Sequence, residues 1–171
     1  MKIRLRLSQE SIQQARDDLN AYREKLNAKL EEYLDELAKI GINVIKVNVA
    51  QAMGADDRNV NIDTDITHNG SKASMRITVT GKDLLFIEYG AGIRFNNGNI
   101  HPYAHEHGYG VGTYPGQTHA FDPNGWYYRV PRGKGGKLHH SYGTEATMPV
   151  YKAWLSIQEN AVEVAKRVFS G

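Results

Sequence analysis

One run of the chain has the residue types of a metal or acid–base site: His101-Pro102-Tyr103-Ala104-His105-Glu106-His107. Imidazole and carboxylate groups are ordinary zinc ligands. His101 and His105 stand four apart, as in a His-Glu-x-x-His helix, where two histidines one turn apart hold the metal and the glutamate beside the first acts as base. The match stops there, because Glu106 follows the second histidine and Pro102, with the nearby glycines, opposes a helix. The simpler reading is a set of turn histidines whose rings hydrogen-bond to loop backbone. A metal-dependent enzyme built on the His101–His107 loop is the alternative. Other reactive arrangements are weaker still. Ser141 and Ser156 lack a Gly-x-Ser-x-Gly setting. Gly108-x-Gly110-x-Gly112 has no strand-to-helix junction around it. Asp63 and Asp65, like Asp56 and Asp57, read as solvated carboxylates. The chain has no cysteine, which removes disulfides, thiolate nucleophiles and cysteine-type zinc sites together. The expectation is no catalytic residue, no cofactor and no metal.

A basic, aromatic surface is the third kind of chemistry available. Arg94, Arg129, Arg132, Lys134 and Lys137 outweigh Glu106 and Asp122 in the middle of the chain. Aromatic rings with arginines suit base stacking and protein interfaces alike. A net charge of +2 is small for a nucleic-acid binder, which concentrates positive charge on one face. A nucleic-acid-binding protein therefore stays an alternative, and a protein interface is the preferred reading. Tyr103, Tyr109, Tyr114, Trp126, Tyr127, Tyr128 and Arg129 are its candidate docking residues.

These residues must be held by regular elements on either side. A chain of 171 residues suits one domain, residues 1–171, with a sizeable core. Nowhere do about 18 apolar residues run together, so no membrane-spanning helix is expected. The basic start, Met1 to Leu7, is too short in apolar length for a signal peptide. Synthesis and assembly in the cytoplasm are expected.

Ser8 is placed to cap a helix through its hydroxyl. Ile12, Ala15, Leu19, Tyr22, Leu26, Leu30, Tyr33, Leu37 and Ile40 then recur three or four apart on one stripe, which predicts a helix over 8–41 with Gly41 as its stop. At about 45 Å it exceeds what a small sheet covers, so one end either packs in the core or projects towards a neighbouring subunit. Ile45, Val47 and Val49 alternate with polar or small residues, as do Val60, Ile62, Thr64 and Ile66, and Ala73, Met75, Ile77 and Val79. Asn69-Gly70 favours a tight hairpin. The spacing predicts a three-stranded antiparallel meander over 42–81, with a turn at Gly54 to Asn59. One face of the meander is expected on the helix. Asp83 is placed to cap a short helix over Leu84 to Tyr89; a fourth strand fits the same spacing, and the short helix is the preferred reading.

Composition changes at Gly90. Residues 90–143 hold 12 of the 17 glycines, six of the seven histidines and nine of the 16 aromatic residues. So many aromatic residues argue for an ordered excursion, because disordered segments are poor in them. Gly125 to Val130 reads as a strand after the Asp122-Pro123-Asn124-Gly125 turn, partly paired to the sheet edge, with residues 131–137 as a flexible tip. Thr147 is expected to cap a helix over 147–169, with Pro149 in its first turn. Val150, Ala153, Trp154, Ile157, Ala161, Val164, Ala165, Val168 and Phe169 form its apolar stripe. The fold class is α+β, with a long N-terminal helix and a C-terminal helix on one face of a small antiparallel sheet, and a long Gly/Tyr/His-rich excursion.

Two short motifs carry a resemblance. Phe86-Ile87-Glu88-Tyr89-Gly90-Ala91-Gly92 resembles the Val/Ile-Glu-Phe/Tyr-Gly-Thr-Gly pattern of the tailed-bacteriophage neck proteins, also called minor capsid, tail-completion or head–tail joining proteins. Ala91 stands where threonine is more usual. Gly143-Thr144-Glu145-Ala146-Thr147-Met148-Pro149, leading into the last helix, resembles the second pattern of that family. The family-motif positions are Phe86, Glu88, Tyr89, Gly90, Gly92, Gly143 and Pro149. The Asp122 to Tyr128 segment is similar to versions from phages and prophages of Gram-positive hosts. The resemblance covers essentially the whole chain. It implies a structural virion protein of the neck or tail, assembled in the host bacterial cytoplasm, with no catalytic residues. Its implied partners are other copies of itself in a ring, portal or adaptor proteins and tail-terminator proteins. DNA would meet it only as it passes through the lumen, and no membrane is implied. Phage-tail-like bacteriocins carry related parts.

Overall fold

The structure is a computed structural model that describes residues 8–53, 60–69, 72–81, 83–95, 101–104, 106–107, 122–129 and 136–170. The expected turn at 54–59, the candidate docking residues Tyr109 and Tyr114, His105, and most of the expected flexible tip lie outside these residues. In order, the elements are α1 (Gln9–Met53), β1 (Asn61–Asn69), β2 (Lys72–Thr80), α2 (Leu84–Tyr89), β3 (Trp126–Arg129), β4 (Leu138–Ser141) and α3 (Pro149–Phe169). The α+β class is as expected. Ser8 caps α1 by accepting from the Ser11 amide through Oγ, at 3.3 Å.

The first difference from expectation is large. Residues 42–53 are not a strand, and α1 continues through Gly41 to Met53. The predicted three-stranded meander is a two-stranded hairpin, β1 against β2. Alternating Ile45, Val47 and Val49 suggested a period of two. Leu37, Ala38, Gly41, Ile45, Asn48 and Val49 satisfy a helical period equally well, and those are the buried positions. Packing decided between them. Strand propensity in β-branched residues spans only about 1 kcal/mol and yields to tertiary contact. Gly41 is not a stop but a point of close approach. A Cβ there would lie 2.7 Å from Ile157 Cδ1 of α3 and 3.0 Å from Ile77 Cδ1 of β2.

The core has two parts strung along α1. Leu37 packs with Val164 and Val168 of α3, flanked by Tyr33, Ile40, Met75, Ile157 and Ala161. Ile45 and Val49 pack with Ala153 of α3 and with Val44, Val60, Ile62, Ile77 and Val79. The inner face of β2, Ala73, Met75, Ile77 and Val79, is half-buried, and the alternate residues are exposed. Asn69 pairs with Lys72, so Asn69 belongs to the strand rather than to the predicted Asn-Gly turn. At one end α3 is tied to α1 by Tyr33 against Phe169, ring centroids 6.0 Å apart, and by the Arg167–Glu36 ion pair. At the other, Asn48 is the joint. Its Nδ2 donates to Val44 O at 2.8 Å, its Oδ1 accepts from Lys152 Nζ at 3.1 Å, and its backbone oxygen accepts from Thr147 Oγ1 at 3.1 Å.

The helical reading of 42–53 has a direct test. Ile45 is 1% exposed and Val47 is 56% exposed. Ile45→Ala is expected to cost about 3 kcal/mol through a core cavity. Val47→Ala should stay within about 0.5 kcal/mol. Urea unfolding of the two variants checks this, since on a strand both residues would share the buried face and both substitutions would hurt.

Trp126–Arg129 does form a strand, preceded by the expected turn, in which Gly125 N donates to Asp122 O at 3.0 Å. It pairs not with the hairpin edge but with β4, Trp126 opposite Ser141 and Arg129 opposite Leu138. The motif at 138–141, Leu-His-His-Ser, carries no alternation of apolar and polar residues, so nothing local announces it as a strand.

Candidate docking surface around Glu88

The two motifs of the sequence meet at one joint. Asp83 begins α2 as expected, although its side chain makes no capping bond. The helix is six residues long and buries Ile87 and Glu88. Gly90, φ 77°, ends it in a backbone conformation that side chains resist. The chain then runs alongside the second motif. Ala91 and Thr144 exchange two backbone hydrogen bonds, 2.9 and 2.8 Å. Ile87 O accepts from the Thr147 and Met148 amides at 2.9 and 3.3 Å.

Glu88 locks this arrangement. The first amides of a helix have no partner within it and need an acceptor. Thr147 was expected to supply one, but Met148 occupies the capping position, in a left-handed conformation, φ 54°, with no side-chain bond. Thr147 Oγ1 instead serves Asn48. The acceptor comes from 62 residues away. Glu88 Oε2 accepts from Val150 N at 2.8 Å, and Oε1 accepts from Tyr151 N at 2.9 Å. The carboxylate also sits where the helix dipole favours negative charge. A third donor is His101 Nε2, 3.1 Å from Oε1. The tautomer follows from the opposite ring atom. Tyr103 N lies 3.1 Å from Nδ1, and a backbone N–H can only donate, so Nδ1 accepts and Nε2 carries the hydrogen given to Glu88. Glu88 and His101 are 6% and 4% exposed. Both ring nitrogens of His101 and both oxygens of Glu88 are therefore committed to the fold.

Over this polar joint lies an aromatic layer. Tyr89 and His101 are 4.6 Å apart between ring centroids, and His101 and Tyr151 5.1 Å. Tyr151 stacks on Trp154 at 5.9 Å, and Tyr103 meets Tyr151 edge-on at 5.8 Å. These rings, with Leu84, Leu85, His107 and Val150, line an open cleft of about 460 Å³. Leu85, Tyr103, Val150 and Trp154 are each 40–45% exposed along it. A well-supported apolar floor with exposed aromatic rims is the form of a hot-spot pocket for a partner's side chain.

The candidate docking residues fall into separate places. Tyr103 belongs to this cleft. Trp126 and Tyr128 line a second one of about 360 Å³, with Phe86, Ala91 and Gly143. Tyr127, on the opposite face of β3, is 65% exposed and lies 4.5 Å from His140 between centroids. His140 in turn meets Tyr142, over which the Arg94 guanidinium sits at 4.0 Å. Arg129 is exposed at the end of β3. Sequence reasoning missed Tyr151 and Trp154. It placed Trp154 and Val150 on the buried stripe of α3, whereas Ala153, Val164 and Val168 hold the buried positions. Two aromatic residues in the first turns after Pro149, off the centre of that stripe, were the available signal.

Among the described residues no group of three or more His, Asp or Glu is placed to hold a metal ion. No described helix is long and apolar enough to cross a membrane. Comparison of the chain with protein-family models, with curated proteins and with solved structures finds no match.

Proposed function

We propose that this protein is a non-enzymatic structural protein of a phage or prophage neck, a tail-completion or head–tail joining subunit. It acts by self-association in a ring and by docking adaptor and tail-terminator proteins, with DNA passing through the lumen. The observation that carries the reading is the joint at Glu88. The two motifs that resemble the neck family lie more than fifty residues apart, yet they form one structural unit, with Glu88 of the first bonded to the helix start of the second. Residues with no local relation share a joint for a structural reason, and here that reason is to hold α2, the turn at His101 and α3 as one support. The exposed aromatic cleft sits on that support. Such a surface suits association, in which a few aromatic anchors supply most of the binding energy.

Deletion of the gene from its phage or prophage tests the role. Separate heads and tails in negative-stain images are the expected result, and complete joined particles would refute it. A finer measurement addresses the cleft. Trp154→Ala, at a 45%-exposed position, should leave the folded state intact and weaken partner binding by about 2 kcal/mol, roughly thirtyfold. Titration calorimetry against the adjoining neck proteins, with thermal unfolding as control, reads both.

A further inference from the structure

The candidate docking residues divide between two surfaces of different chemistry. The cleft over Glu88 is apolar. The outward face of the β3–β4 ribbon is aromatic and cationic. Tyr127 and His140 are direct partners across the ribbon, as are Arg129 and Leu138, and side chains two apart on a strand share a face. Tyr127, Leu138 and Tyr142 are 65%, 61% and 43% exposed. His140 bridges Tyr127 and Tyr142, 4.5 Å from each between ring centroids. Beyond Tyr142 the Arg94 guanidinium lies 4.0 Å from the ring centroid. The result is a row of three rings with Arg129 at one end and Arg94 at the other. Lys137, also exposed, precedes Leu138 at the Arg129 end.

Carboxylates are scarce around this row. Residues 89–144 contain only two, Glu106 and Asp122, against Arg94, Arg129, Arg132, Lys134 and Lys137. Glu106 adjoins His107 of the apolar cleft. Asp122 Oδ1 accepts from the Asn124 amide at 2.8 Å. Just outside that range, Asp83 lines the cleft on the other face of β3, and Glu145 is exposed. Among the described residues no ion pair involves Arg94, Arg129 or Lys137. The net charge of +2 over the whole chain conceals this local excess.

We infer that this face binds nucleic acid with unpaired bases, a base stacking on Tyr127 and the phosphates meeting Arg94, Arg129 and Lys137. Exposed rings between cations are the equipment of single-strand binding. Stacking uses the flat side of the Arg94 guanidinium and leaves its N–H edge for an acceptor such as phosphate. An acidic peptide answers the cations alone, and duplex DNA keeps its base faces stacked inside. A single strand answers the cations and the rings together. The contact is a property of the purified chain and does not depend on the neck role. Particle morphology reads that role separately, so either idea can fail alone.

Fluorescence anisotropy of a labelled oligothymidine of about 12 nucleotides, titrated with the purified full-length chain, is the test. Binding at low salt should weaken roughly twentyfold for an about fourfold rise in salt, the dependence of about three phosphate contacts. Tyr127→Ala should weaken it roughly tenfold at an unchanged melting temperature. Arg129→Ala should weaken it and flatten the salt dependence by about one contact. Arg76→Ala removes a cation from the β1–β2 hairpin, where Arg76 stands opposite Asp65, and should leave binding unchanged. Equal losses in Arg76→Ala and Arg129→Ala would reduce the effect to net charge and overturn the site. Absence of binding at low salt would do the same, as would full affinity in Tyr127→Ala or equal affinity for a duplex of the same length. Displacement by polyglutamate as readily as by unlabelled oligothymidine would assign the face to an acidic protein partner instead.

Discussion

Glu88→Ala is expected to lower stability by about 4 kcal/mol. The substitution strips the Val150 and Tyr151 amides of their acceptor, a loss of the size seen when a helix cap is removed, about 1–2 kcal/mol. It also leaves the buried Nε2–H of His101 without a partner, a further cost of about 1–3 kcal/mol. For a chain of this size the melting temperature should fall by roughly 10 °C, read by circular dichroism. Glu88→Gln should be intermediate, because an amide keeps one acceptor oxygen and turns a donor towards groups that also donate. The experiment separates two roles for this carboxylate. A buried acid kept for chemistry or for ligand binding commonly destabilises its protein, and removing it leaves stability unchanged or raised. A clamp does the opposite. Unfolding data showing no loss in Glu88→Ala would remove the structural account of the motif and reopen an enzymatic reading of the His101–His107 loop.

The second large effect is expected at Gly143. Its φ is +99°, and a Cβ built there would lie 1.9 Å from Ala91 O and 2.8 Å from Ala91 C, both backbone atoms. Neither can swing aside as the end of a side chain can. Gly143→Ala therefore has to push apart the two strands of chain that exchange hydrogen bonds between Ala91 and Thr144, while also holding alanine at a positive φ. Backbone strain of about 1–3 kcal/mol and two weakened hydrogen bonds of about 1 kcal/mol each together predict a loss of about 4 kcal/mol. Amide exchange at Ala91 and Thr144 should quicken. Gly41→Ala is the control. Its Cβ would also meet close neighbours, but these are the tips of Ile157 and Ile77. Crowding of about 1–3 kcal/mol is offset by the helix propensity gained over glycine, about 1 kcal/mol, so a smaller change is expected. If Gly143→Ala and Gly41→Ala melted together, the close packing of the two motifs would not be what holds the joint.

Much of the architecture is written in local pattern. The three-and-four spacing from Ile12 to Ile40 announces most of α1, and the Ser8 hydroxyl its start. The alternation at Ala73 to Val79 announces β2, and Asp122-Pro123-Asn124-Gly125 the turn before β3. These features need only neighbours in the chain, so reading the residues in order is enough. Residues 42–53 mark where that sufficiency ends. Their side chains fit a period of two or of 3.6, and α3 and the hairpin, docking where Gly41 leaves room, select the helix. Residues 138–141 became a strand only because Trp126 to Arg129 lay beside them.

The candidate docking surface belongs wholly to the second kind. In sequence Glu88 is only a motif position, its partners lie 13 and more than 60 residues away, and no periodicity relates them. Tyr103, Tyr151 and Trp154 likewise form a cleft only because three segments of chain converge. Secondary structure was legible because each residue votes with those beside it. The site was decided by tertiary structure, because a carboxylate must be brought to its donors through space before it can hold anything in place.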